Sequence, residues 1–406
     1  MPDGCSSSTD GERLNPRTLR RLSDAHSIAD LRQLARARLP RMIFDFIDGA
    51  ADLETTARRN VDAFADIAIV PRMLQPVSDC DTSVELFGER LQLPVAITPT
   101  GFTGIVSPLA EADVARAAQA AGTVMSVSAA STLSLEAIAA ASTGPKWFQQ
   151  FIYRDRGVTL DLTKRAEEAG YRALIVTIDV PAPGNRYRDI RNGFTVPPRI
   201  GASNLVDFLS RPRWLGRLLS NPRISFGNFE GYGRSGLLDV GSWLNGLIDP
   251  SVQWKDIGWL RERWSGPLIL KGIMHPDDAR RAIEIGADAV MVSNHGGRQM
   301  DTEPATIEVL PKIAAAVARR LPILLDGGIR RGTDVIKCLA LGATCVLVGR
   351  PYLWGAAAGG QAGVERALRI LKDEISRALA HSGWNSLAEI DPGAVVERRP
   401  FPWPAG

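Results

Sequence analysis

The sequence has little of the chemistry that marks secreted or metal-binding proteins. Its four cysteines, Cys5, Cys80, Cys338 and Cys345, form no CxxC pair and share no spacing with histidines, so neither a disulfide framework nor a zinc site is expected. A surplus of one charge is also lacking. The 48 basic and 45 acidic residues leave a formal +3, which demands no nucleic acid or other polyanion as partner. No run of about 18 uncharged apolar residues occurs, and the start, MPDGCSSSTDGERLNP, lacks the apolar core of a signal peptide. Neither a membrane span nor export by that route is expected, and the cysteine usage suits a reducing, cytoplasmic setting.

What is present is a globular composition, 45% apolar and 23% charged over 406 residues. Residues 1–15 are small, polar and without periodicity and read as a disordered tail, leaving 16–406 as one domain. From Ser27 to about Ala65 the spacing of Leu31, Leu34, Leu39, Ile43, Phe44 and Ile47 predicts two helices joined at Pro40, a helical lid or plug. A hairpin is expected over Leu86 to Leu91.

Beyond it, short apolar runs alternate with helical stretches. The runs start at Val95, Val124, Trp147, Ala173, Leu268, Ala289, Pro322 and Cys345. Eight nearly continuous apolar strands separated by helices predict an α/β fold, a (β/α)8 TIM barrel with a core of about 93–380. A doubly wound open sheet is the weaker alternative, because no GxGxxG follows the first strand. Between strands four and five lies a long insertion, about 197–255, on the active-site face. Its segment 205–219 mixes Trp, Phe, Leu and Arg, a composition suited to an interfacial segment; the alternative is a loop that docks its leucines on the barrel.

In a barrel the working residues sit at the C-terminal ends of strands. Strand six delivers Ser293-Asn294-His295-Gly296-Gly297-Arg298-Gln299, where a neutral imidazole can take a proton and a guanidinium can clamp a carboxylate. A lone histidine is more often structural, but the two glycines that follow give a tight turn and open approach for a ligand. Strand five delivers Lys271, a charge that needs an anion or an electron-rich ring such as the N1–C2=O edge of a flavin. Strand four delivers Thr177 and Asp179, and an aspartate there can hydrogen-bond the far nitrogen of His295 and stabilise an imidazolium. The Asp326-Gly327-Gly328-Ile329-Arg330 and Gly349-Arg350 turns form the phosphate address usual after strands seven and eight.

In these blocks, taken in order with the early Asp-Gly-Ala-Ala-Asp, the sequence resembles the FMN-dependent 2-hydroxy-acid oxidases and dehydrogenases from about Leu31 onward. The resemblance implies His295 as base with Asp179 as its partner, and Arg186 and Arg298 as carboxylate ligands. It places FMN against Pro99, Thr100, Gly101, Ser128, Gln149, Thr177 and Lys271, with the phosphate at Asp326, Gly328, Arg330, Gly349 and Arg350. Two tyrosines of the pattern are replaced, by Phe46 and by Phe151. Each loss removes a hydrogen bond of roughly 1.5 to 3 kcal/mol to a charged oxygen, which turns the expectation toward a 2-hydroxy acid with an apolar or aryl side chain. Ala130 leaves room for it.

The expected partners are that acid and an electron acceptor, oxygen, a quinone or another. The insertion resembles the membrane-contacting loop of mandelate dehydrogenase, which favours a dehydrogenase at the inner face of the membrane, and the family resemblance implies a tetramer. Two other readings stay open: a flavin oxidase modifying a peptide-derived or natural-product intermediate, and a non-redox flavin or phosphate-binding barrel.

Overall fold

The computed structural model describes residues 21–194, 199–220, 224–230, 232 and 246–397. The expected tail, 1–15, lies outside the described residues. Eight parallel strands close into a barrel: β1 Val95–Ile97, β2 Met125–Ser128, β3 Lys146–Gln150, β4 Ala173–Thr177, β5 Leu268–Ile273, β6 Ala289–Val292, β7 Ile323–Asp326 and β8 Cys345–Val348, with β8 returning to pair with β1. They are the eight apolar runs of the sequence. Their continuity follows from burial on both faces. Ala96, Trp147, Ile175, Ile269, Met291, Leu324 and Leu347 fill the interior, while Ile97, Phe148, Leu174, Leu270, Val290, Leu325 and Val346 pack outward on the helices.

The expected hairpin joins Val84–Leu86 to Glu89–Leu91 through Phe87 and Gly88, whose φ of +51° and +75° suit the tight turn of a twisted pair. Leu86 and Leu91 enter the interior cluster, and the Phe87 ring lies 5.7 Å from that of Trp147. The interior residues it meets include Val124, Ala173 and Cys345 at strand starts, so the hairpin plugs the N-terminal end. The opposite end is left for a site.

The N-terminal extension differs from expectation in having three helices, α1 Ile28–Arg38, α2 Arg41–Asp48 and α3 Thr55–Asp62. Pro40 caps α2 as expected, but the apolar spacing ends at Ile47, and Asp52 and Glu54 take φ of +45° and +61° in the break that follows. α1 packs on helices Arg350–Gly359 and Gln361–Ser382. α3 is fastened over the C-terminal strand ends by a reciprocal amide pair, Asn60 with Asn294, at 2.9 Å each way, and by the Asp301 carboxylate on the N–H groups of Thr55 and Thr56. Asp48, closing α2, receives Arg32 at 2.6 and 2.8 Å and Arg188 of the β4–β5 connection at 3.1 Å.

The connection from β4 to β5 runs through helix Tyr187–Arg191, then, in the insertion, helices Ala202–Leu209 and Pro212–Ser220 and a short turn at Gly227–Phe229, before helix Trp254–Arg261 resumes the barrel's outer layer. Buried Asn228 pins it to the loop after β2, donating to the Ala129 carbonyl at 2.9 Å and Ser131 Oγ at 3.0 Å and accepting the Leu135 N–H at 2.6 Å. Segment 205–219 presents two faces. Phe208, Trp214, Leu215 and Leu218 dock inward, with Trp214 Nε1 donating to the Ile105 carbonyl at 2.9 Å, whereas Leu205, Val206, Leu209 and Leu219 are exposed. Among the described residues no helix is long and apolar enough to cross a membrane.

Candidate active site

A cavity of about 630 Å³ opens at the C-terminal end of the barrel. Strand ends and the loops after them bring to it Pro99, Thr100, Gly101, Ser128, Ala130, Gln149, Phe151, Thr177, Lys271, His295, Arg298, Asp326, Gly328, Arg330, Gly349 and Arg350. α2 contributes Phe46 and the β4–β5 connection Arg186. Asp179 does not line the cavity; it stands behind His295.

His295 Nδ1 lies 3.1 and 3.2 Å from the two Asp179 carboxylate oxygens, leaving Nε2 for the cavity. Burial first, then the charge of Lys271, holds the imidazole below its usual range against the upward pull of Asp179. The ring is therefore neutral near pH 7 and able to accept a proton. Burial would raise the Asp179 carboxyl, but the attraction to His295 when that ring is protonated, the charge of Lys271 and the hydrogen bond from His295 outweigh it and hold the carboxyl below its usual range. Glu303, nearby, is pushed up to about 7 by burial and by the charge of Asp179.

His295 has φ of +56°, the start of a left-handed run through Gly296 and Gly297. A Cβ on Gly297 would come within 2.7 Å of the Ala57 amide nitrogen, and one on Gly328 within 1.8 Å of the Asn60 carbonyl oxygen. Both glycines therefore admit α3 against the strand ends. That is a packing reason beside the ligand-approach reason read from the sequence.

Arg298 spends one terminal nitrogen on α2, Nη1 donating to the carbonyls of Phe46 and Gly49 at 2.8 Å each. Among the described residues its other donors have no hydrogen-bond partner, which leaves them for an anion. Burial, then the like charges of Arg186 and Arg350, pushes this guanidinium well below its usual range, a cost that a bound carboxylate would relieve. Arg186 is held by Asp189 at 2.8 Å. Phe46 lies beneath both cations, its ring centroid 5.2 Å from the Arg298 guanidinium carbon and 5.5 Å from that of Arg186. The residue that lacks the expected hydroxyl thus braces the clamp by its π face.

The donor set on the other side fits FMN, the group the resemblance implies. Ser128 Oγ donates to Gln149 Oε1 at 3.0 Å and Gln149 Nε2 to Thr177 Oγ1 at 3.0 Å, a polar edge offering both donors and acceptors. Lys271 Nζ donates to Ser293 Oγ at 2.9 Å and lies 3.8 Å from Asp326, whose Oδ1 is buried without a partner. Arg330 and Arg350 are buried beside each other with no carboxylate within salt-bridge distance among the described residues. Burial and the Arg350 charge bring Arg330 down to about 9. Two such cations at the N-terminus of helix Arg350–Gly359 suit a phosphate dianion. The Arg350 side chain itself binds the carbonyls of Asp48, Gly49 and Gly296, so it also locks the lid to the His295 loop.

Sequence reading missed several wall residues. Phe194 lies tilted 4.5 Å from Phe46, and Phe226 stacks at 5.1 Å on Phe102, giving the cavity an aromatic side to which the β4–β5 connection contributes Phe194 and Phe226. Thr98, whose Oγ1 donates to Asp326 Oδ2 at 2.8 Å, precedes the Pro99 block and could have been found as its neighbour. Glu111 is buried on the helix after β1 and accepts the Gly104 and Thr132 amides at 3.1 and 2.9 Å, tying together the loops after β1 and β2. No spacing announces it.

Residues 35–397 match the family model described as FMN-dependent dehydrogenase. An L-lactate dehydrogenase of Caulobacter vibrioides (strain NA1000 / CB15N) is 44% identical over 377 residues, 92% of this chain and 98% of that protein. Another, of Xanthomonas campestris pv. campestris (strain 8004), is 44% identical over 90% of this chain and 96% of its own. Among solved structures, the monotopic membrane protein (S)-mandelate dehydrogenase superposes with a TM-score of 0.90 at 35% identity, covering 92% of this chain and all of that one (100%). Mandelate oxidase with (S)-4-hydroxymandelic acid superposes with a TM-score of 0.80 at 37% identity, covering 92% and 99%. With a buried histidine, two cavity-lining guanidiniums and an FMN-fitting donor set in one barrel mouth, the chain belongs to the FMN-dependent dehydrogenase family.

Proposed function

We propose that the protein oxidises a 2-hydroxy acid with an apolar or aryl side chain to the corresponding 2-oxo acid. The observation that carries this reading is the neutral, Asp179-backed His295 in one cavity with two guanidiniums and an aromatic wall. Arg186 and the free donors of Arg298 bind the carboxylate and fix the α-carbon. His295 accepts a proton at Nε2, and Asp179 stabilises the imidazolium so formed through Nδ1. The Gln149–Thr177 edge, Lys271 and the Arg330–Arg350 end would hold FMN, which when bound would supply the acceptor for the two electrons removed. Lys271 sets positive charge beside that group, and Phe194, Phe226 and Phe102 exclude water and hold the side chain. Mixing the FMN-loaded protein anaerobically with lactate, 2-hydroxybutyrate and mandelate tests the reading. Flavin bleaching fastest with mandelate supports it, and a lactate rate above all others removes the apolar-side-chain claim.

The acceptor we favour is a membrane quinone, reached by peripheral contact at the inner face of the membrane. Support comes from the exposed Leu205, Leu209 and Leu219 near Arg38, Arg213 and Arg217, whose like charges act on one another. The Leu205→Ser, Leu209→Ser, Leu219→Ser triple variant leaves the docked Trp214 in place and should lose co-sedimentation with anionic vesicles. Equal partitioning of parent and variant contradicts the contact. A homotetramer is proposed from the family resemblance, with sedimentation equilibrium as its test.

A further inference from the structure

A second cavity, of about 250 Å³, lies beside the first and shares Phe151 and Thr177 with it. Val176, Ile178, Val180 and Pro181 of β4 and its exit line one side, and the returning segment from Ile248 to Ile257 lines the other. Besides Thr177, its polar walls are Asp249, Gln253 and Asp278, and Asp249 is engaged by Arg156 at 2.9 Å and by Ser251. No basic side chain lines it among the described residues. Water needs several polar partners to stay ordered, whereas a dry apolar cavity of about 150 Å³ accepts benzene. This chamber has room for a phenyl ring or a short alkyl chain.

Charge decides which way an occupant arrives. An anion would meet Asp249 and Asp278 from this side, with no cation to receive it, while the main cavity presents Arg186 and Arg298. An acid therefore enters by the main cavity, and only its uncharged end can reach the second chamber. Of the two residues that line both cavities, Thr177 is tied to Gln149 at 3.0 Å, which leaves Phe151 as the shared wall without a hydrogen bond. Phe151 leaves β3 immediately after Gln150, is only half-buried, meets Tyr153 edge-on at 6.1 Å, and has no polar atom to anchor it on either side. A tyrosine there would carry a hydroxyl that could anchor the ring to a polar partner.

We propose that the second cavity is an annex of the substrate site, taking the distal end of 2-hydroxy acids with long side chains, and that Phe151 is the gate between the chambers. The proposal rests on the 2-hydroxy-acid reading of the main cavity.

Val252→Trp and Ile248→Trp fill the annex from its far wall without touching the main cavity, and two positions guard against one variant misfolding. With the FMN-loaded protein, kcat/KM for 2-hydroxyoctanoate and 2-hydroxy-4-phenylbutyrate should fall on the order of tenfold for two displaced methylenes, carried by KM. Turnover of 2-hydroxybutyrate should be unchanged. Phe151→Ala should shift preference toward the long acids. Fluorobenzene, followed by ¹⁹F NMR, should show in the parent and in the His295→Gln variant a bound resonance that Val252→Trp lacks, apart from any resonance of the main cavity, which all three share. Equal losses for long and short acids, no loss for either, or slowed reoxidation by dioxygen with the length series unmoved, each overturns the annex. Fluorobenzene binding without turnover of any 2-hydroxy acid overturns the function reading instead, and with it the identity of the annex's occupant.

Discussion

Replacing Asp179 by Asn keeps a hydrogen-bond acceptor beside His295 and removes one charge. At 3.1 Å, with an effective dielectric of about 20, the attraction between carboxylate and imidazolium is roughly 5 kcal/mol. The Asn dipole retains part of this, so a loss of about 3 to 4 kcal/mol should appear in the proton-accepting step, lowering kcat/KM on the order of a hundred- to a thousandfold. The pH profile gives a second readout. His295 works when neutral, so the rate falls as pH drops through its pKa, which lies below the usual 6.5. Asp179 pulls that pKa upward; Asp179→Asn therefore moves the acid limb to lower pH while depressing the plateau. Anaerobic stopped-flow bleaching across pH 4 to 8 measures both, with bound flavin absorbance confirming an intact site. A plateau equal to the parent's, or an acid limb moved upward, would refute the dyad.

Phe46→Leu removes two cation–π contacts of about 0.5 to 2 kcal/mol each, so KM should rise roughly tenfold with kcat less affected, and Phe46→Tyr should restore binding by keeping the ring face. Arg330→Met should weaken FMN about ten- to a hundredfold, read by flavin fluorescence titration. The same change should leave the melting temperature of the FMN-free protein unchanged or raise it, because a buried cation facing Arg350 is removed. Gly297→Ala combines a φ of +72° with a close approach to α3 and should destabilise by about 1 to 3 kcal/mol, seen as a lower urea midpoint.

The barrel was legible because burial on both faces imprints each strand as an apolar run, and eight such runs allow few other architectures. The charged residues of the site were legible for a related reason: Lys271, His295 and Asp326 emerge at the ends of those runs, where the fold gives them no structural excuse. The third helix was not, since α3 is held by Asn60 and Asp301 contacts and not by an apolar stripe. Phe194 and Phe226 were hidden because their place depends on how the long β4–β5 connection folds back, Phe194 tied to the Asp189 carbonyl and the Phe226 stretch fastened by Asn228. Phe46 was read as a lost hydroxyl and an apolar wall. Its position under two guanidiniums is a matter of three-dimensional neighbours that sequence spacing does not encode.

The central claim is that His295 takes a proton from a 2-hydroxy acid held in this cavity. Single-turnover reduction of FMN by mandelate, parent against His295→Gln with equal flavin content, tests it most directly. The predicted result is full bleaching in the parent and a rate reduced by several orders of magnitude in the variant. Bleaching of the variant at the parent's rate, or no bleaching of the parent by any 2-hydroxy acid, would contradict it.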